Sequence, residues 1–162
     1  MGRTMGWRRV GAAVGVALAM SAGAARAGQA EDAAKLKQLL SATGLPYKDT
    51  TSPSVVTMAY TGKSLANFRV IAAAQDSLIV VFTNPMKKGS FAETVPSLYK
   101  MARLNHELDS VKVEIDDDGD LAVRIDMPIN AGPDQFKSAV AQVAAATDEV
   151  YKAMIPYQTT GK

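Results

Sequence analysis

Apolar positions recur along this chain in two rhythms. From Glu31 to Thr43, Leu36, Leu39 and Leu40 return at helical spacing, and Gly44 with Pro46 soon after supplies a stop. The period then shortens to two. Val55–Tyr60 is β-branched and aromatic, and Ser64–Ala74 sets Phe68, Val70 and Ala72 against Asn67, Arg69 and Ile71. Leu78–Thr83 is a solid apolar run closed by Asn84-Pro85. The breaks at Thr61-Gly62-Lys63 and Gln75-Asp76-Ser77 are short and turn-like, so these three strands read as an antiparallel meander.

Helical spacing returns after the loop Lys87-Lys88-Gly89. Ser90-Phe91-Ala92-Glu93 has the form of a capping box, but Pro96 would then fall inside the helix. An irregular turn at Ser90 is therefore expected, with the regular helix opening near Thr94 and Leu98, Met101 and Ala102 forming its apolar face. The clearest alternation follows. Val111, Val113 and Ile115 alternate with Lys112, Glu114 and Asp116, and Leu121, Val123, Ile125 and Met127 with Ala122, Arg124 and Asp126. A two-residue loop would mix the faces of this hairpin. A three-residue loop, Asp117 to Gly119, pairs Ile115 with Leu121 and Val113 with Val123, with Gly119 in the left-handed position. Gly132-Pro133-Asp134 then opens a last helix, striped by Phe136, Val140, Val143, Ala144, Thr147, Tyr151 and Met154 as far as Pro156.

The order α-β-β-β-α-β-β-α is that of an α+β domain, an antiparallel sheet packed against helices. It spans residues 31–156, with 157–162 expected to be a loose tail. A single domain suits 162 residues, and a 48% hydrophobic, 21% charged composition is that of a packed protein.

Residues 1–27 have a different character. They carry Arg3, Arg8, Arg9 and Arg26 and no acidic residue, enclose the weakly apolar run Val10 to Ala24, and end in Ala25-Arg26-Ala27. That is the anatomy of an export signal cleaved before Gly28, and the apolar run is short for a membrane span. Arg8-Arg9 and Arg26 resemble twin-arginine signals, although Val10-Gly11 fit that pattern poorly, so the general secretory route is favoured. The expected destination is a bacterial periplasm. Losing four arginines leaves 14 basic against 16 acidic residues, a net charge of −2. No basic footprint for nucleic acid survives, and no membrane association is expected after cleavage.

Candidate chemistry is thin. The absence of cysteine excludes disulfides, a thiol nucleophile and thiolate metal sites. Glu114, Asp116, Asp118 and Gly119 mimic the opening of a calcium loop, but the closing bidentate glutamate is replaced by Ile125, inside a strand. These acids read as a solvated hairpin tip. His106 stands near a helix end, where a cation suits the dipole, with no serine or carboxylate at an indicative spacing. Asn105 beside it could cap that end. Met58, Met86, Met101, Met127 and Met154 are too scattered for a copper site and read as core. No catalytic, metal or cofactor residues are assigned, and no enzymatic activity is expected.

The second half resembles the YbjN-like family, whose domain is similar to type III secretion chaperones. The resemblance rests on Leu98 to Leu108 with its Leu104-Asn105 pair, on V-K-V-E-I-D-D-D-G-D-L-A-V-R-I-D-M-P, and on Phe136 to Pro156 with Asp148 ahead of an aromatic. It implies a chaperone-like α+β sandwich and a non-enzymatic binding or regulatory role. An export signal departs from secretion chaperones, which act in the cytosol. The expected function is a periplasmic protein-binding module whose partner is another protein or a second copy; a small-ligand carrier, with its pocket between the last helix and the sheet, is the alternative. Ile71 and Ala73 lie opposite Phe68, Val70 and Ala72, which makes the second strand apolar on both sides. A self-association surface or a covering helix would each account for that. Arg69, Ile71, Ala73 and Asn105 are the residues expected to meet a partner.

Overall fold

The computed structural model describes the backbone of residues 14–159 and the side chains of residues 28–159. The elements are α1 (Val14–Thr43), β1 (Lys48–Asp49), β2 (Val55–Tyr60), β3 (Phe68–Gln75), β4 (Leu78–Met86), α2 (Val95–Glu107), β5 (Lys112–Ile115), β6 (Leu121–Pro128), α3 (Pro133–Met154) and a 3-10 turn, Ile155–Tyr157. Of the export signal read at 1–27, residues 1–13 lie outside the described residues, and residues 14–27 are described only as backbone, within α1. Residues 28–30 are helical too, so the helix starts ahead of the Glu31 at which the apolar spacing begins. The α1 side chains seen in the core start at Ala33 and continue through Leu36, Leu39 and Leu40. Gly44 ends α1 with φ +64, its N–H donating to the Leu40 carbonyl at 3.2 Å.

The strands form one antiparallel sheet in the order β1-β2-β3-β4-β6-β5. The meander supplies its first part. Its β3–β4 turn uses Asp76 and Ser77, both at positive φ, and the Ser77 N–H donates to the Asp32 carboxylate at 3.0 Å, so α1 holds the turn. The hairpin takes the expected register, Ile115 opposite Leu121 and Val113 opposite Val123, with Gly119 at φ +85. The chain order inverts where the halves meet: β4 pairs with β6, not β5.

Four local expectations are corrected. Asn84-Pro85 does not end β4, which runs on to Met86; the register slips between Thr83 and Met86, and this bulge accommodates a residue with no N–H to give the ladder. The second strand starts at Phe68, not Ser64, because Ser64 and Leu65 donate their N–H groups to Asp148 instead of entering a ladder. The α2 helix buries Ser97, Met101 and Leu104, leaving Leu98 and Ala102 exposed beside Val95 and Tyr99. Polar groups set that rotation: Ser97 Oγ lies 2.6 Å from the Ala92 carbonyl and receives the Thr94 N–H at 2.9 Å, and Asn105 ties the helix to β5. Finally, residues 157–159 are not loose. Ala92 N–H donates to Tyr157 O at 2.8 Å, Thr159 N–H to Ser90 O at 3.0 Å, and Gln158 forms a bridge with Phe91.

All helices among the described residues lie on one face of the sheet. Leu36, Leu40, Phe136, Val140 and Val143 pack on Val56, Met58, Val70, Ala72, Ile79 and Val81. Met101, Leu104, Val150 and Met154 pack on Val113, Leu121 and Val123. Along α3, Thr147 stands where the two clusters join. It is fully buried, 2.8 Å from the hydroxyl of buried Thr83, and donates to the Val143 carbonyl at 2.6 Å. The hydroxyls thereby satisfy each other in an apolar layer.

Candidate functional site

Alternation forces every strand to present a second set of side chains to the face without helices. Register arranges them in rows: Val55, Ala73, Val80 and Asp126 in one, Thr57, Ile71, Phe82, Arg124 and Lys112 in the next. Ile71, Ala73, Val80 and Phe82 form an apolar centre, half-buried by their neighbours. The sequence signal for this centre was the two-sided apolarity of β3. The contribution of β4 was hidden, because an unbroken apolar run does not disclose which alternate residues face a core.

Charged residues frame the centre on the β5–β6 side. Arg124 bridges Glu114 and Asp126, each at 2.9 Å, and Lys112 meets Asp126 at 2.7 Å. The Asp126 hydrogen bond holds the guanidinium charged beyond its usual range. Burial pushes the Asp126 carboxyl up, but the hydrogen bonds from Lys112 and Arg124 outweigh it and set its pKa below the ordinary carboxylate value. At the hairpin tip, Asp116 accepts the N–H groups of Asp118 and Asp120 and the side-chain amide of Asn84 at 2.7 Å, so it organises the loop. Asp120 sits between Lys87 Nζ at 2.6 Å and the Lys88 N–H at 2.9 Å; the Lys87 hydrogen bond is the main cause of its lowered pKa. Asp117 and Asp118 remain exposed. A groove of about 440 Å³ runs from Ala73 and Val80 across Phe82 and Ala122 to this acidic tip.

The structure brings Arg69, Ile71 and Ala73 together on this face and sets Asn105 apart. The Asn105 side chain accepts the Val113 N–H at 2.8 Å and donates to the Val113 carbonyl at 2.7 Å. Its amide thus pairs with the outward backbone of edge strand β5 as another strand would. Near the far end of the sheet, Asp148 accepts the N–H groups of Ser64 and Leu65 at 2.8 and 2.9 Å, and these bonds, that of Leu65 first, lower its pKa. A Cβ on Gly62 would run into that carboxylate and displace it, so glycine keeps the bonds to the loop intact. Asp148 therefore braces the β2–β3 loop.

His106 is exposed on α2, and Ser97 is committed to the helix start. Among the described residues no three histidine, aspartate or glutamate side chains are placed to hold a metal ion. Nor, among those residues, is any helix long and apolar enough to cross a membrane. Phe136, Val140 and Val143 are fully buried between α3 and the sheet, and open clefts flank them, one of about 660 Å³ beside Tyr60, Phe68 and Asp148 and one of about 470 Å³ beside Ile125, Met127 and Ser138.

Known proteins agree with this architecture. The model of the YbjN family, described as "Putative bacterial sensory transduction regulator", matches residues 32–156. No curated protein matches the sequence. Among solved structures, a chain of the HopA1–SchA chaperone–effector complex aligns with a TM-score of 0.56 and 12% identity over 75% of this chain and 97% of its own. A chain of the heterodimeric ExoU–SpcU complex from the type III secretion system of Pseudomonas aeruginosa gives 0.52 and 13% over 74% and 97%. YbjN from E. coli gives 0.52 and 16% over 73% and 87%. At such identities the likeness is one of fold.

Proposed function

This chain belongs to the YbjN family, and from that premise we propose that it is an exported, non-enzymatic protein-binding module of regulatory or chaperone-like type. The helix-free face of the sheet is its working surface. The observation that carries the reading is the apolar centre of Ile71, Ala73, Val80 and Phe82, placed where no described helix covers it. Apolar surface collected at the middle of a polar-rimmed face is a mark of protein contact. Two neighbours of this fold, HopA1–SchA and ExoU–SpcU, are complexes between protein chains, which supports the same use here.

Export rests on the basic start, the short apolar run and Ala25-Arg26-Ala27. A cut before Gly28 leaves the whole stretch that matches the family, which begins at residue 32, on the mature side. N-terminal sequencing of protein recovered from the periplasm is expected to begin at Gly28. Recovery of the uncut chain from the cytosol would refute export.

The binding role is tested by mild crosslinking of the tagged chain in periplasmic extract, with Ile71→Glu and Phe82→Glu as controls for the surface. Partners that crosslink to β3 and β4 and are lost in both variants are expected. Partners retained by both variants, while the variants keep native circular dichroism, would place binding elsewhere.

A further inference from the structure

We infer that the groove on the helix-free face receives an extended peptide segment in which an apolar side chain is followed closely by a lysine or arginine. This rests on the reading of that face as the binding surface, and adds the chemistry of what binds.

The floor is apolar, made of Ala73, Val80, Phe82 and Ala122. It spans strands β3, β4 and β6 and reaches β5 at Glu114. Three strand spacings give roughly 14 Å, the length of about four residues of extended chain. An apolar side chain finds its match on this floor, with Phe82 as the largest contact surface.

The wall decides the charge. Glu114, Asp116, Asp117 and Asp118 line it, against a single lining cation, Arg124. Its two terminal nitrogens are already taken by Glu114 and Asp126, the Nε being buried without a partner. Asp116 is spent within its own loop and contributes charge more than contacts. The exposed carboxylates of Asp117 and Asp118 are the ones within reach of a visitor. Of the lysines beside the tip, Lys87 pairs with Asp120, and the Lys88 side chain lies along Gly119. An anionic segment would meet these carboxylates at close range, whereas a cationic one neutralises them.

The test uses the full-length chain and two fluorescein-labelled peptides, one of alternating valine and lysine and one of alternating valine and glutamate, followed by anisotropy. The valine–lysine peptide is expected to bind roughly tenfold more tightly than its acidic counterpart, and to weaken with added salt. Asp117→Asn combined with Asp118→Asn, changes at a solvated tip that leave the core alone, is expected to remove most of that preference. Phe82→Ala is expected to weaken both peptides. Equal binding of the two peptides, or a preference indifferent to the tip substitutions, overturns the inference. So does self-association through this face, seen as a concentration-dependent sedimentation shift abolished by Phe82→Glu. If neither peptide binds while crosslinked partners still map to β3 and β4, the occupant is wrong and the surface stands. If the partners map elsewhere, both fall.

Discussion

The two faces of the sheet are built from the same strands and nearly the same residue types, yet they meet different fates. On one, Val56, Val70, Ala72, Ile79 and Val81 are fully buried beneath α1 and α3. On the other, Val55, Ile71, Ala73, Val80 and Phe82 alternate with them and stay half-open. Apolarity therefore does not make a core. The covered face is core because α3 offers a continuous stripe, Phe136 to Met154, and because Thr83 and Thr147 satisfy each other beneath it. No described helix lays such a stripe on the other face, whose rim carries paired charges instead.

The sharpest way to break this comparison is to truncate one phenylalanine on each face. Phe136→Ala, in a site with no exposure, is expected to cost about 3–5 kcal/mol in urea unfolding. Phe82→Ala is expected to cost a small fraction of that while impairing partner binding. Similar losses at both positions would mean that the faces are equivalent parts of one core.

A smaller effect probes the buried hydroxyls. Thr147→Val leaves the Thr83 hydroxyl without its partner and is expected to cost about 1–3 kcal/mol. The double change Thr83→Val with Thr147→Val is expected to recover much of it, a non-additivity that a double-mutant cycle reads directly.

Next comes the edge of the sheet. Asn105→Ala frees the outward N–H and carbonyl of Val113, with an expected stability loss of about 1 kcal/mol and new self-association in sedimentation. A monomeric variant of unchanged stability would show that the amide does not guard this edge.

The smallest effect is in acid. The Asp126 pKa is lowered in the folded protein, so its contribution is complete above the unfolded carboxylate value and is lost as pH falls through the folded one. Asp126→Asn is expected to flatten the acid limb of the stability–pH curve below about pH 4. An identical acid limb would show that the Lys112–Asp126–Arg124 network is energetically silent.

Much of this was legible in the residues, and the exceptions share a cause. The hairpin register could be derived because period two admits only one loop length that keeps Val113 and Val123 on one face. The α3 stripe was nearly as plain, except that Val150 takes the fully buried place expected of Tyr151. The rotation of α2 was not, since Leu98 and Ala102 carry the apolar signal while Ser97 and Asn105 hold the bonds that turn the helix. The pairing of β4 with β6 was invisible because it is made across α2 and β5. Of the candidate surface, Arg69, Ile71 and Ala73 could be placed from alternation, whereas Val80 and Phe82 needed the neighbouring strand. Asn105 belongs to the edge, a role that depends on a backbone eight positions away.

The inverted order of β4, β6 and β5 has a kinetic consequence. The meander and the hairpin each close over short turns and can form early. The β4–β6 ladder must wait until the chain has traversed α2 and doubled back through β5, and ordering that length costs loop entropy before any contact rewards it. The bulge at Pro85 lies within this late seam. Substitutions there are expected to act mainly on the unfolding rate, and those in the hairpin on the folding rate, so the time a nascent chain spends with its apolar faces uncovered is set at the join between the two halves.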